Sequence, residues 1–170
     1  MRCSLKNKRH RGIPTFNLNY ANNIGHSLTT LLLRDIAKLR DEISKYSHDA
    51  DLWKLQGEIK NTAGNLCLHL CGNLQHYVGH ILGSSRYARN REQEFAARDM
   101  TKAALLQEID NTHLAVKSTL EKLDDNVLES EYPEQVFSHP MTTGYFLIHL
   151  SGHLTYHLGQ INYHRRILAS

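Results

Sequence analysis

The sequence predicts an all-α protein built as a four-helix bundle. Apolar residues recur at steps of three and four in four separate segments, strand signals are weak throughout, and only three prolines interrupt 170 residues. Such a chain is long enough to bury one continuous core without disulfides or a structural metal. With 41% hydrophobic and 22% charged residues it reads as globular rather than disordered or fibrous.

The first helix follows from Leu28, Leu32, Ile36, Leu39, Ile43 and Tyr46, a single buried stripe. The stretch KYSHDADLWKLQG breaks that period, and Trp53 within it is expected to pack as a lid over one end of the bundle. A second helix is predicted from about residue 58 to 82 on Leu66, Leu70, Leu74, Tyr77 and Ile81, with Gly83-Ser84-Ser85 as its stop. The polar, weakly periodic SSRYARNREQEFAARD then reads as a long connection between helices two and three, carrying the chain over the bundle.

Helix three rests on Leu106, Ile109, His113, Val116, Leu120 and Leu123, with Asp99 or Thr101 as N-cap and an end near Asp124. The segment LESEYPEQVFSHPMTTG holds two of the three prolines, and Thr142 or Thr143 can cap a fourth helix running to about Leu168.

The formal charge of +3 is uneven. Residues 1–11 carry five basic side chains and no acid, so the rest of the chain nets −2. Residues 1–15 are read as a basic, flexible tail and 16–170 as the bundle domain. A near-neutral body lacks the broad basic face that phosphate contacts require, so no nucleic-acid partner is expected. No apolar run approaches about 18 residues, and the N-terminus lacks the apolar core of a signal peptide; no membrane partner is expected. Cys3, Cys67 and Cys71 cannot all pair within one chain, which suits a reducing compartment and a cytoplasmic location. Cys67 and Cys71 are read as small buried hydrophobes.

The chemistry lies in the histidines. HLSGHLTYHLGQ sets His149, His153 and His157 at intervals of four, so they project from one side of helix four. Two such imidazoles can grip one metal ion, and a third from a facing helix would complete a three-ligand site with one position open. In NLCLHLCGNLQHY, His69 lies beside Leu66 and Leu70 and should point inward. Burying it without a partner costs about 1–3 kcal/mol, so it needs a hydrogen bond or a metal. His113, alone on its stripe, reads as a satisfied core residue. His10, His26, His48 and His139 need no special role.

LHLCGNLQHYVGHILG, followed later by HLSGHLTYHLGQINYHRRIL, resembles the DinB-like, or YfiT-like, superfamily of four-helix metalloproteins, in particular its branch with an HLxGNL second helix. The resemblance runs from about residue 24 to the C-terminus. Its most specific element, HxxxHxGQ, is here His153, His157, Gly159 and Gln160. What the resemblance implies is that His69, His153 and His157 hold a divalent metal ion such as zinc, nickel or iron, and that a low-molecular-weight thiol such as bacillithiol serves as co-substrate in S-transfer to a small molecule. His149 falls outside that triad and becomes a core or supporting residue. His76, His80 and His164 either line the pocket mouth or belong to a solvated face.

A ligating imidazole usually donates its other N–H to a partner, and Gln160 and Tyr156 are candidates. The Glu-x-x-His pairs of di-iron bundles and the HExxH of zinc proteases are both absent. No carboxylate for acid–base work can be located in the sequence, which counts against a hydrolase. Two readings stay open: a metal-dependent thiol transferase, or a noncatalytic bundle that binds a metal or small ligand. Relatives also imply a homodimer through helix faces, for which the helix-one stripe and Trp53 are the candidate surface.

Overall fold

The computed structural model describes residues 23–169, so the basic tail read over residues 1–15 lies outside the described residues. Helix α1 spans Ile24–Ser44 and is capped by Asn23, whose side chain accepts the His26 backbone N–H. The predicted stripe from Leu28 to Ile43 is buried, and Tyr46 joins it just past the helix end. A short 3₁₀ helix, Asp49–Trp53, follows.

Helix α2, Ala63–Leu74, starts later than the expected residue 58. Gly57 takes a left-handed φ of 55° that no helix continues through, and the cap comes from Thr62, whose hydroxyl accepts the Asn65 N–H. Every residue of α2 except Leu68 is buried. From Gln75 to Leu82 the chain continues as a π-helix, a widening the apolar periodicity did not announce.

Inside the long connection lies a short helix α3, Arg91–Ala96, capped by Asn90. Helix α4, Lys102–Leu120, is capped by Thr101 and not by Asp99, whose φ of 63° places it outside the helix. Its core line is Leu105, Ile109, Thr112 and Val116, one residue round from the expected Leu106 and His113, which are half-buried. The helix packs against α1 on one side and α2 on the other, and the buried face centres between the two contacts. After α5, Asp125–Glu129, the chain enters α6, Thr143–Leu168, capped by Thr142.

The long helices form a square in which α1 and α2 each touch α4 and α6 and lie across the diagonal from one another. Helix α1 runs parallel to α6, as the pairs Asp35–Thr155 and Glu42–Arg165 show, and antiparallel to α4, through Arg40–Asp110 and Tyr46–Lys102. Gln75–Glu108, then Gly79 beside Ala115 and Gly83 beside Thr119, show that α2 and its π-helical continuation run parallel to α4. Two consecutive parallel helices need an overhand crossover, and residues 83–101 make it. That crossover brings α3 against α2, where the site lies.

Leu32, Ile43, Leu70, Leu105, Phe146 and Ile161 are fully enclosed in one core. Trp53 lies over Gly64, where a Cβ would meet its ring, and donates its indole N–H to the Met100 carbonyl at 2.9 Å. The helix-one stripe and Trp53, expected as a dimer surface, are thus used within the chain. Cys67 and Cys71 are buried and unpaired. Among the described residues no helix is long and apolar enough to cross a membrane.

Candidate metal centre

His69 projects from α2, and His153 and His157 from successive turns of α6, into the groove between the two helices. His153 Nε2 lies 3.3 Å from His69 Nε2 and 3.1 Å from His157 Nε2. One nitrogen from each of the three residues falls within 4.8 Å of the others.

The outer nitrogens have conventional partners. Glu94 Oε2 accepts the His69 Nδ1–H at 3.0 Å, and Gln160 Oε1 accepts the His157 Nδ1–H at 2.6 Å. Because a neutral imidazole carries one proton, these bonds leave the inward Nε2 atoms of His69 and His157 as bare lone pairs. Both face His153 Nε2, whose single proton can serve only one of them. A cation at their meeting point would satisfy all three. Nitrogens bound tetrahedrally to one ion at about 2.0–2.1 Å stand roughly 3.3–3.4 Å apart, close to the two spacings that His153 makes.

Electrostatics favour the neutral form of His153 and His157, the form that can ligate. Burial, then the neighbouring His157 and His69, push His153 down to about 4, and burial lowers His157 as well. Glu94 stays ionised: burial alone would raise its pKa, but hydrogen bonds from His69 and Arg89 and the Arg89 charge hold it below the ordinary value. Arg89 grips both carboxylate oxygens, Nε to Oε1 at 2.7 Å and Nη2 to Oε2 at 2.9 Å. Gly72 leaves the room this needs, since a Cβ there would strike the Glu94 carboxylate. The HLCGNL stretch thus supplies a candidate ligand at His69 and, one turn on, the gap that lets Glu94 reach it.

Glu94 and Arg89 escaped the sequence reading because they sit in the polar connection. The only local signal was Asn90 three residues before Gln93, a helix-start pattern that revealed α3 but not its target. Of the two expected supports, Gln160 holds His157, whereas Tyr156 is 64% exposed and lies only ring-to-ring beside it, at 5.2 Å.

The remaining histidines lie outside the triad. His149 is exposed, not in the core, but its ring stacks beside His153 at 6.3 Å, and on its other contacts it stacks on Phe146 and meets Phe137 at right angles. Within the π-helical stretch, His76 pairs with Glu134 at 2.9 Å and His80 with the Ser85 carbonyl. His164 belongs to neither a solvated face nor the mouth of this site: it is 3% exposed, with Nδ1 at 2.7 Å from the Tyr46 hydroxyl and Nε2 at 2.9 Å from the Lys54 carbonyl. Beside Gln160 a cleft of about 440 Å³ opens, bounded by Lys60, Leu66, Tyr163 and His164, so His164 lines this neighbouring cleft.

Comparison with known proteins follows the same lines. The structure is similar to that of a DinB-like protein from Bacillus cereus ATCC 10987, with 15% identity, a TM-score of 0.67, and coverage of 84% of this chain and 91% of that one. A conserved protein from Enterococcus faecalis is similar at 13% identity and a TM-score of 0.67, over 85% of this chain and 96% of the other. At these identities the likeness is one of fold. No curated protein matches the chain. Over residues 23–170 it matches the family described as "Protein of unknown function (DUF1572)", and it belongs to that family, which is DinB-like.

Proposed function

We propose that the chain is a metal-dependent enzyme whose His69, His153 and His157 hold one divalent ion of zinc, nickel or iron, and that its chemistry is thiol S-transfer to a small electrophile. The observation that carries this reading is the convergence of three imidazole nitrogens whose inward lone pairs have no sufficient protein donor. When bound by three neutral ligands, such an ion keeps its full positive charge and acidifies a water or thiol at its open position.

The chain's own residues then have distinct tasks. Glu94, fixed by Arg89, holds His69 in the tautomer that presents Nε2, and Gln160 does the same for His157. Glu94 favours thiol chemistry over hydrolysis, because both its oxygens are engaged and it cannot serve as a general base. A thiolate needs no such base. The buried, unpaired Cys67 and Cys71 suit a reducing cytoplasm.

The same committed carboxylate also supports a second reading, a noncatalytic bundle in which the metal only staples α2 to α6. Elemental analysis of untagged protein beside His69→Ala and His153→Ala is the first test: one ion per chain is expected in the parent and none in the variants. Thiol turnover in the parent, lost in His153→Ala with helical content kept, supports the enzyme. A large fall in melting temperature on chelation with no turnover for any thiol and electrophile supports the staple. A parent that takes up no zinc, nickel or iron sinks both.

A further inference from the structure

The outer face of α6 is not an ordinary solvated one. Tyr145, Ile148, Tyr156 and Tyr163 are each more than half exposed, and with Ile167 they make five of the nine large exposed apolar side chains among the described residues. Arg166 is the one Asp, Glu, Lys or Arg among the exposed residues of this helix, whereas α1 exposes Arg34, Lys38, Arg40 and Asp41. Single apolar side chains are normal on a surface. These instead share one line, since Tyr145, Ile148, Gly152, Tyr156, Gly159 and Tyr163 follow one another at steps of three and four.

Two members of the line are glycines. A Cβ on Gly152 or Gly159 would meet nothing within 4 Å, unlike Gly64 and Gly72, whose missing Cβ makes room for Trp53 and Glu94. Glycine inside a helix is less stable than alanine, so a pair of them on an open face has no reason within the chain. Bare backbone at both positions suits the close approach of another helix.

The order of the line says which helix that is. Tyr145, Ile148 and Gly152 are spaced by three and four residues, and Gly159, Tyr163 and Arg166 by four and three, so the spacing is the same from either end. Turned end for end about a point between Thr155 and Tyr156, α6 lays Gly152 on Gly159, Ile148 on Tyr163 and Tyr145 on Arg166 of a second copy. A self-complementary patch of this kind is what a two-fold dimer uses. Charge agrees with the register. Arg166 makes no ion pair among the described residues, its guanidinium lying 5.9 Å from the Tyr163 ring centre. Around Tyr145, the exposed Glu129 and Glu131 help to line an open hollow of about 570 Å³, and neither has a basic partner among the described residues. The antiparallel register brings Arg166 to that hollow, whereas a parallel one sets Arg166 against its own copy.

We infer that this face of α6 pairs with the same face of a second copy of the chain, the two helices antiparallel about an axis at Thr155 and Tyr156, with Arg166 of each copy in the Glu129–Glu131 hollow of the other. The surface is distinct from the α1 stripe and Trp53, which are used within the chain, and it depends on neither the metal nor the thiol reading.

Sedimentation equilibrium of the full-length protein over micromolar concentrations is the test, with a dimer expected in the parent. Gly152→Gln places a side chain against Gly159 twice in each dimer and should raise the dissociation constant at least about tenfold. Its helical content by circular dichroism should hold, because a Cβ there meets nothing within the chain. Ile148→Lys, opposite Tyr163 in the pairing, is the second variant and should act in the same direction. Arg166→Glu should weaken the dimer, and adding Glu129→Lys and Glu131→Lys to it should restore association. A parent that sediments as a monomer overturns the inference and leaves the face to some other partner. A dimer untouched by Gly152→Gln and Ile148→Lys overturns it by locating the interface elsewhere, and a charge exchange that restores nothing overturns the antiparallel register.

Discussion

His164 and the three-histidine cluster, which share α6, are solved in opposite ways. His164 has an ordinary protein partner at each nitrogen, the Tyr46 hydroxyl at Nδ1 and the Lys54 carbonyl at Nε2. Seven residues earlier, His157 has Gln160 at Nδ1, but its Nε2 meets only another imidazole nitrogen, as does that of His69. His69 and His164 are both buried, so burial does not separate a candidate ligand from a core residue; what separates them is whether the protein supplies a complementary group at both ring nitrogens. His164 has a partner at each nitrogen, whereas the triad is completed by an ion on the reading proposed above.

The comparison breaks most sharply by substitution. His153→Ala should take metal content from one ion per chain to none by elemental analysis, whereas His164→Ala should keep the ion; metal loss in both, with the fold intact, would erase the distinction. Glu94→Ala comes next, with metal affinity lower by roughly 10–100-fold in competition with a chromogenic chelator. Affinity equal to the parent's would show that the carboxylate does not position His69.

His164→Ala should instead lose about 1–3 kcal/mol of folding free energy, read from urea denaturation of metal-free protein, because the Lys54 carbonyl and Tyr46 hydroxyl lose their buried partner. A cost no greater than that of a surface substitution would mean the network is not closed. Gln160→Ala, exposed on one side, should weaken metal binding only about 2–10-fold, the worth of one hydrogen bond.

The smallest effect is in pH. His153 is held near 4 in the folded protein against an ordinary value of 6.5, so between these limits the unfolded chain binds more protons. Stability of the metal-free protein should accordingly fall as pH drops from about 6.5 to about 4. The slope should shrink in His153→Ala; an equal slope in thermal melts at pH 6.5, 5.5 and 4.5 would assign it to other groups. Glu94 and Asp35, whose pKa values are lowered, add their loss only at the acid end of that window and below.

Much of this was legible residue by residue. His153 and His157 share a face because four residues nearly complete a turn, and cap-forming side chains before periodic runs narrowed the helix starts to Asp99 or Thr101 and to Thr142 or Thr143, of which Thr101 and Thr142 do the capping. His69 was placed inward by the leucines around it. Illegible were the features that depend on a partner far along the chain. Glu94 sits 25 residues after His69 in a stretch whose own composition points to solvent, and Thr112 displaced His113 from the core because α4 turns toward two neighbours at once.

The sequence by itself determined the four long helices, narrowed the caps of α4 and α6 to two candidates each, and showed which histidines stand on shared faces, because these follow from contacts between residues three and four apart. Only the tertiary structure decided that α2 lies beside α6 and across from α1, that the crossover brings Glu94 and Arg89 onto His69 through the gap at Gly72, and that His164 closes on Tyr46 while His157 does not close. Each of those is a pairing over tens of residues, settled by how whole helices pack and not by any local preference.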